Sequence, residues 1–130
     1  MSRSSGPSTP PALHELESEV MGEMWRRSEA TVRDVLEALN RGPKRRAYTT
    51  VMTIMCRLWD KGLLSRERRG RTDVYRAILS RDAYLQARAE AEVDAVVEEF
   101  GDLALSHFAR QVGGLDPERL RRLRELTDGE

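Results

Sequence analysis

Four side chains in one stretch of the sequence have the types and spacing that suit a groove lined with base edges. Thr49, Thr50, Met52 and Thr53 lie within Ala47–Gly62, a run that reads as one helix. Val51, Ile54, Met55 and Leu58 recur at i, i+3, i+4 and i+7, so they form a single apolar stripe. The opposite side carries Thr49, Thr53, Cys56 and Asp60, flanked by Thr50, Met52 and Arg57. An ordinary solvent face in a chain this charged would be rich in Glu and Lys. This face has short hydroxyls and a thioether instead. A Thr hydroxyl bonds a base or a phosphate, and its methyl packs on thymine. Lys44, Arg45 and Arg46 precede the helix, whose N-terminal N–H groups favour a phosphate. The chemistry these residues point to is recognition of duplex DNA. Contact with another protein surface is the alternative for such a face.

A second basic group follows. Arg66, Arg68, Arg69 and Arg71 fall within six residues, around a turn at Arg69-Gly70-Arg71. The runs on either side, from Leu63 to Arg68 and from Thr72 to Leu79, have strand character. A hairpin after a helix-turn-helix is a wing, and its tip arginines suit the phosphate backbone. The phosphate candidates are therefore Arg45, Arg46, Arg68, Arg69 and Arg71. Arg57 is expected to turn back to an acid of its own domain. Trp25 and Trp59 are expected to pack, and Cys56 to lie on the outer face as an unreactive small residue.

The elements that must position these groups are mostly helical. A first helix spans about Leu13 to Arg27, with Leu13, Leu16, Val20 and Met24 as its stripe. Its first turns are acidic and Arg26 and Arg27 close it, as the helix dipole prefers. Ser28-Glu-Ala is a connector with room for a small edge strand. A second helix starts at Thr31, with Asp34 three residues on as an acidic capping box, and ends at Asn40-Arg-Gly-Pro43. After the hairpin, Leu85, Ala89, Val93, Val96 and Phe100 form a long stripe. Leu103, Leu105, Phe108 and Val112 form another. Asp116-Pro117 opens a last helix with Leu120, Leu123 and Leu126. These short helices cannot bury their stripes alone, so Leu85, Val93, Val96, Phe100, Leu105, Phe108, Leu120 and Leu123 are expected to dimerise. The fold expected is mainly α with a small β-wing. A Ser- and Pro-rich tail occupies 1–12, a winged helix-turn-helix DNA-binding domain 13–79, and a helical dimerisation domain 80–130.

Charge supports this division. Net charge is zero overall, but residues 1–79 hold 15 basic and 10 acidic residues, whereas 80–130 hold 7 and 12. The first part attracts phosphate and the second does not. One cysteine excludes an internal disulfide and a Cys-cluster metal site. No cofactor or metal is expected. No apolar run approaches the roughly 20 residues that span a bilayer, and no apolar leader opens the chain, so a cytoplasmic protein is expected. No nucleophile–base pair, acid–base constellation or Gly-rich phosphate loop points to an enzyme.

Several segments resemble the penicillinase-repressor (BlaI/MecI) family of winged-helix regulators. LHELESEVMGEMW (Leu13–Trp25) is similar to its opening helix, and AYTTVMTIMCRLWDKGLL (Ala47–Leu64) to its recognition helix. YRAILSRDAY (Tyr75–Tyr84) resembles the wing exit, and LALSHFAR (Leu103–Arg110) a segment of its dimerisation domain. The resemblance implies a homodimeric repressor on a palindromic operator. It also implies a partner, a membrane sensor with a cytoplasmic metalloprotease domain that responds to β-lactam. That pathway cuts the repressor between an Asn and a Phe. The corresponding pair here is His107-Phe108, a departure at the first position. A copper-sensing branch carries a C-terminal Cys cluster, and this chain has no Cys after Cys56.

Overall fold

The computed structural model describes residues 9–129. In chain order the elements are α1 (Glu15–Arg26), α2 (Val32–Leu39), α3 (Tyr48–Asp60), β1 (Leu64–Arg69), β2 (Thr72–Ala77), α4 (Arg81–Phe100), α5 (Asp102–Gly113) and α6 (Pro117–Asp128). The chain is mainly helical, with a winged helix-turn-helix followed by C-terminal helices.

Local chemistry explains where the helices start and stop. At α2, the Asp34 N–H donates to Thr31 Oγ1 at 3.1 Å and the Thr31 N–H to Asp34 Oδ2 at 3.0 Å. Two otherwise orphaned donors are thereby satisfied reciprocally. The α2–α3 connection is longer than the Gly-Pro breakers suggest, because Asn40 closes it as a clamp. Its side chain accepts from the Arg46 N–H at 2.7 Å and donates to the Arg46 carbonyl at 3.1 Å. At the end of α3, Gly62 has φ +84°. The Gly62 N–H then reaches the Trp59 carbonyl and the Leu63 N–H the Leu58 carbonyl. This left-handed cap turns the chain directly into the wing.

The wing is an antiparallel pair in which Leu64 faces Ala77 and Arg69 faces Thr72. Its turn needs Gly70, at φ +63°. The connector after α1 adds an isolated bridge, Ala30 with Tyr75, through backbone bonds of 3.0 and 2.8 Å. Of the Ser28-Glu29-Ala30 connector, Ala30 alone pairs, as a single bridge rather than an edge strand.

Two compact units divide the chain, Met1–Ala89 and Glu90–Glu130. The sequence places a boundary ten residues earlier, at Leu79/Ser80. The opening of α4 joins the first unit because Tyr84 is buried there, tilted against Trp25 with ring centroids 5.4 Å apart. Trp25 also donates through Nε1 to the Leu79 carbonyl at 3.1 Å. The Tyr84 hydroxyl donates to the Pro11 carbonyl and Arg88 to the Pro10 carbonyl. Residues 10–12 are thus held against the unit, and the rest of the expected tail, 1–8, lies outside the described residues.

The core of the first unit joins Val20, Met21 and Met24 of α1, Val35 of α2, and Val51, Met55 and Leu58 of α3 to Leu64 and Tyr75 of the wing. One charge is buried with them. Glu17, 1% exposed, accepts from Lys61 Nζ at 2.8 Å and from the His14 N–H at 3.0 Å. Burial alone would raise its carboxyl, but the His14 bond and the Lys61 ammonium outweigh that and hold it below its ordinary range.

In the second unit α6 is capped by Asp116, which accepts from the Arg119 N–H at 2.8 Å, with Pro117 in the first turn. Gly101, at φ +55°, turns α4 into α5.

Lys61→Met is expected to strand a buried carboxylate and lower stability by about 3 kcal/mol, the low end for a broken buried pair because Lys61 is partly exposed. Urea denaturation at neutral pH measures it. A depressed folded pKa contributes stability fully above the ordinary carboxyl value of 4.5 and loses it as pH falls through the folded value. Glu17→Gln should therefore flatten the acid limb of the stability curve below that point.

Candidate nucleic-acid interface

The stripe of α3 is buried, so its other face is solvent-facing. Thr49, Thr50, Met52, Thr53 and Arg57 are all exposed. The structure thus brings the four groove candidates together on one accessible surface. Arg57 makes no ion pair or side-chain hydrogen bond among the described residues, contrary to expectation. It is exposed on the same side of the helix as Thr49 and Thr53.

Between this face, the start of α2 and the wing lies a cleft of about 390 Å³, lined by Thr31, Arg33, Tyr48, Met52, Cys56 and Arg71 among others. Arg33 and Tyr48 were not singled out from the sequence. The Arg33 guanidinium lies 5.7 Å from the centre of the exposed Tyr48 ring. The available signal was Arg33 in the first turn of α2, beside the N-terminus of α3. Cys56 lies in this cleft rather than on the outer face. The wing packs beside α3 and places the Tyr75 hydroxyl 3.7 Å from its Sγ, leaving the thiol half-buried.

The arginines divide by what holds them. Arg45 and Arg71 are exposed and have no side-chain partner among the described residues. Arg68 is loosely held, 3.2 Å from the Gly70 carbonyl and 3.5 Å from Asp73. Two candidates are committed elsewhere. Arg46 is mostly buried and bonds Glu19 at 3.0 Å, so it ties the α2–α3 connection to α1. Arg69 bonds Glu29 at 2.6 and 3.1 Å and Glu67 at 2.8 Å. The hydrogen bonds it donates to Glu29 and then to Glu67 raise its pKa further. Both expected phosphate contacts thus carry a carboxylate partner within the fold. Arg66 lies 3.8 Å over the Trp59 ring, a cation–π contact that makes both residues packing elements.

Elsewhere, His14 is exposed at the start of α1. His107 and Phe108 lie inside α5, where His107 Nε2 is 3.2 Å from Gln111 Nε2. Among the described residues, no group of three His, Cys, Asp or Glu side chains could hold a metal ion. No described helix is long and apolar enough to cross a membrane.

Comparison with known proteins identifies the family. Residues 13–129 match the penicillinase repressor family. The chain is 40% identical over 121 residues to the transcriptional regulator BlaI of Mycobacterium tuberculosis, in strains CDC 1551 and H37Rv, covering 90% of this chain and 86% of the relative. The solution structure of the DNA-binding domain of the repressor BlaI superposes with a TM-score of 0.51 at 28% identity. That match covers 58% of this chain and 90% of the domain. The chain, with a winged helix that presents a hydroxyl-rich face beside exposed arginines, belongs to the penicillinase repressor family of DNA-binding, non-enzymatic transcriptional repressors.

Proposed function

We propose that the chain represses transcription as a homodimer on a two-fold operator, with α3 reading bases and the flanking arginines holding phosphates. The observation that carries this reading is the composition of the exposed α3 face. Thr49, Thr50, Met52 and Thr53 are accessible together, between Arg45 and Arg71, which have no side-chain partner among the described residues. Short hydroxyls do little for solubility, but they fit the major groove, where a recognition helix offers its N-terminal residues to base edges. A relative bears the name of a transcriptional regulator, and the matching solved domain is described as the DNA-binding domain of a repressor. A winged helix used only for protein contact would not need cations at both the α3 approach and the wing tip.

Dimerisation is assigned to the helices after the wing. In the second unit Val93, Phe100, Leu103 and Leu105 are at least half exposed, and Val96, Phe108 and Leu123 are exposed as well. Leu85, at the start of α4, is also exposed, and Leu120 is half-buried. A second copy would cover such a surface. In the same reading, a membrane sensor protease of the kind the family resemblance implies would cut His107–Phe108, where both residues are exposed. The bond lies within α5, so cleavage requires that helix to unwind locally.

Val96→Asp and Phe100→Asp should each yield a monomer at micromolar concentration where the wild type sediments as a dimer. A monomeric wild type would remove the dimer from this proposal.

Reading and holding should separate in paired titrations at fixed salt, with an operator selected from random duplexes and a scrambled duplex. Thr53→Ala should weaken operator binding by about 1–3 kcal/mol and leave the scrambled duplex almost unaffected. Arg71→Ala should weaken both alike and lower the log–log salt slope by about one unit per protomer. Equal losses on both duplexes for Thr53→Ala would show that α3 is not the sequence reader.

A further inference from the structure

The wing sorts its charges by face. Arg66 and Arg68 share one face of the hairpin with Asp73 and Tyr75, the side that meets Trp59 of α3. Glu67, Arg69 and Arg76 occupy the other. On that second face both arginines converge on one acid from outside the hairpin. Arg69 binds Glu29 with two bonds, 2.6 and 3.1 Å, and Arg76 donates to the same carboxylate at 2.8 Å. Glu67 adds a second acid to Arg69 at 2.8 Å. Two cations are thus balanced by two acids, and this face offers no net charge to a phosphate.

The position of Glu29 is fixed by the fold. Its neighbour Ala30 is pinned to Tyr75 by the paired backbone bonds of the edge bridge. Most surface ion pairs are weak because two long side chains must be ordered. Here the acid's backbone is already ordered, and the pairing with Arg69 is two-pronged, the geometry in which such pairs do contribute. Non-specific affinity for DNA comes almost entirely from cations that displace counterions at phosphates. A repressor's discrimination is the ratio of operator binding to that background.

We propose that Glu29 withholds Arg69 and Arg76 from the DNA backbone, so that it lowers binding to bulk DNA and sharpens discrimination by the recognition helix. The inference rests on the DNA-binding reading above. It makes Glu29 a specificity determinant that acts through arginines and touches no DNA itself.

The test measures salt-dependent binding of the full-length protein to a mixed-sequence duplex by fluorescence anisotropy. Glu29→Gln keeps the shape and removes the charge. It should bind more tightly than wild type, with a log–log salt slope steeper by about one unit per protomer for each arginine released. Glu37→Gln, the same charge change at an exposed α2 position without an ion pair among the described residues, should leave the slope unchanged. Arg69→Ala should barely alter the slope in the wild-type background and remove about one unit in the Glu29→Gln background. An unchanged slope in Glu29→Gln would overturn the proposal. So would the loss of a unit on Arg69→Ala in the wild-type background, an arm that decides the matter even if Glu29→Gln folds poorly. Wild type that binds no DNA would overturn the DNA reading and this inference together; wild type that binds with Glu29→Gln unchanged would overturn this inference alone.

Discussion

The first unit buries one charge among its described residues, and the placement of the recognition helix follows from how that charge is satisfied. Glu17 sits in α1 among methionines and valines. Its carboxylate has two sources of compensation, the His14 N–H in its own first turn and the Lys61 ammonium just past the end of α3. Apolar burial alone would hold α3 on α1 and α2 without fixing its rotation closely, because methionine and leucine contacts are forgiving. A buried ion pair is less forgiving, since sliding or turning α3 would leave a carboxylate unpaired. The hydroxyl face is therefore aimed from one end by an ion pair and along its length by the stripe of Val51, Met55 and Leu58.

The other end of α3 is held differently. Asn40 bonds both backbone groups of Arg46, and the Arg46 side chain reaches Glu19. The Arg46 cation thus helps hold the start of α3. The same holds for Arg66, which lies on Trp59 and fixes the wing beside α3. Within a chain of zero net charge, the arginines thus divide into those held by the fold and those left exposed. Arg45, Arg57 and Arg71 are exposed and have no side-chain partner among the described residues, and they lie before α3, on its outer face and at the wing tip.

Local features were legible in the sequence because each is decided by neighbours along the chain. The α3 stripe follows from its period, the α2 start from the Thr31–Asp34 box, the α3 stop from Gly62 and the hairpin turn from Gly70. The arginines were not legible in that way. Arg69 and Arg71 are two residues apart and chemically identical, and only the fold brings Glu29, forty residues earlier, to one of them. Cys56 has the helical phase of an outer residue, yet the wing curls round to place Tyr75 against it. Pro10 and Pro11 have the composition of a loose tail, and their role as acceptors for Arg88 and Tyr84 depends on the opening of α4 folding back to α1.

The two units solve the burial problem in different ways. In the first, the described stripe residues of α1 to α3 mostly disappear from solvent. In the second, Leu103 remains 75% exposed and Leu126 59%, whereas Ala104 is the buried residue of α5. Each apolar Å² left in water forgoes about 25 cal/mol, so several half-exposed Leu, Val and Phe side chains forgo several kcal/mol between them. A unit of this size has little stability to spare. The left-handed turn at Gly101 and the Asp116 cap specify its helices locally, but local terms of about 1 kcal/mol each do not replace a core. A second copy of the same surface would supply the missing burial. In that arrangement, folding of the unit and dimerisation would be one coupled equilibrium, and cutting within α5 would remove part of the apolar surface on which both depend.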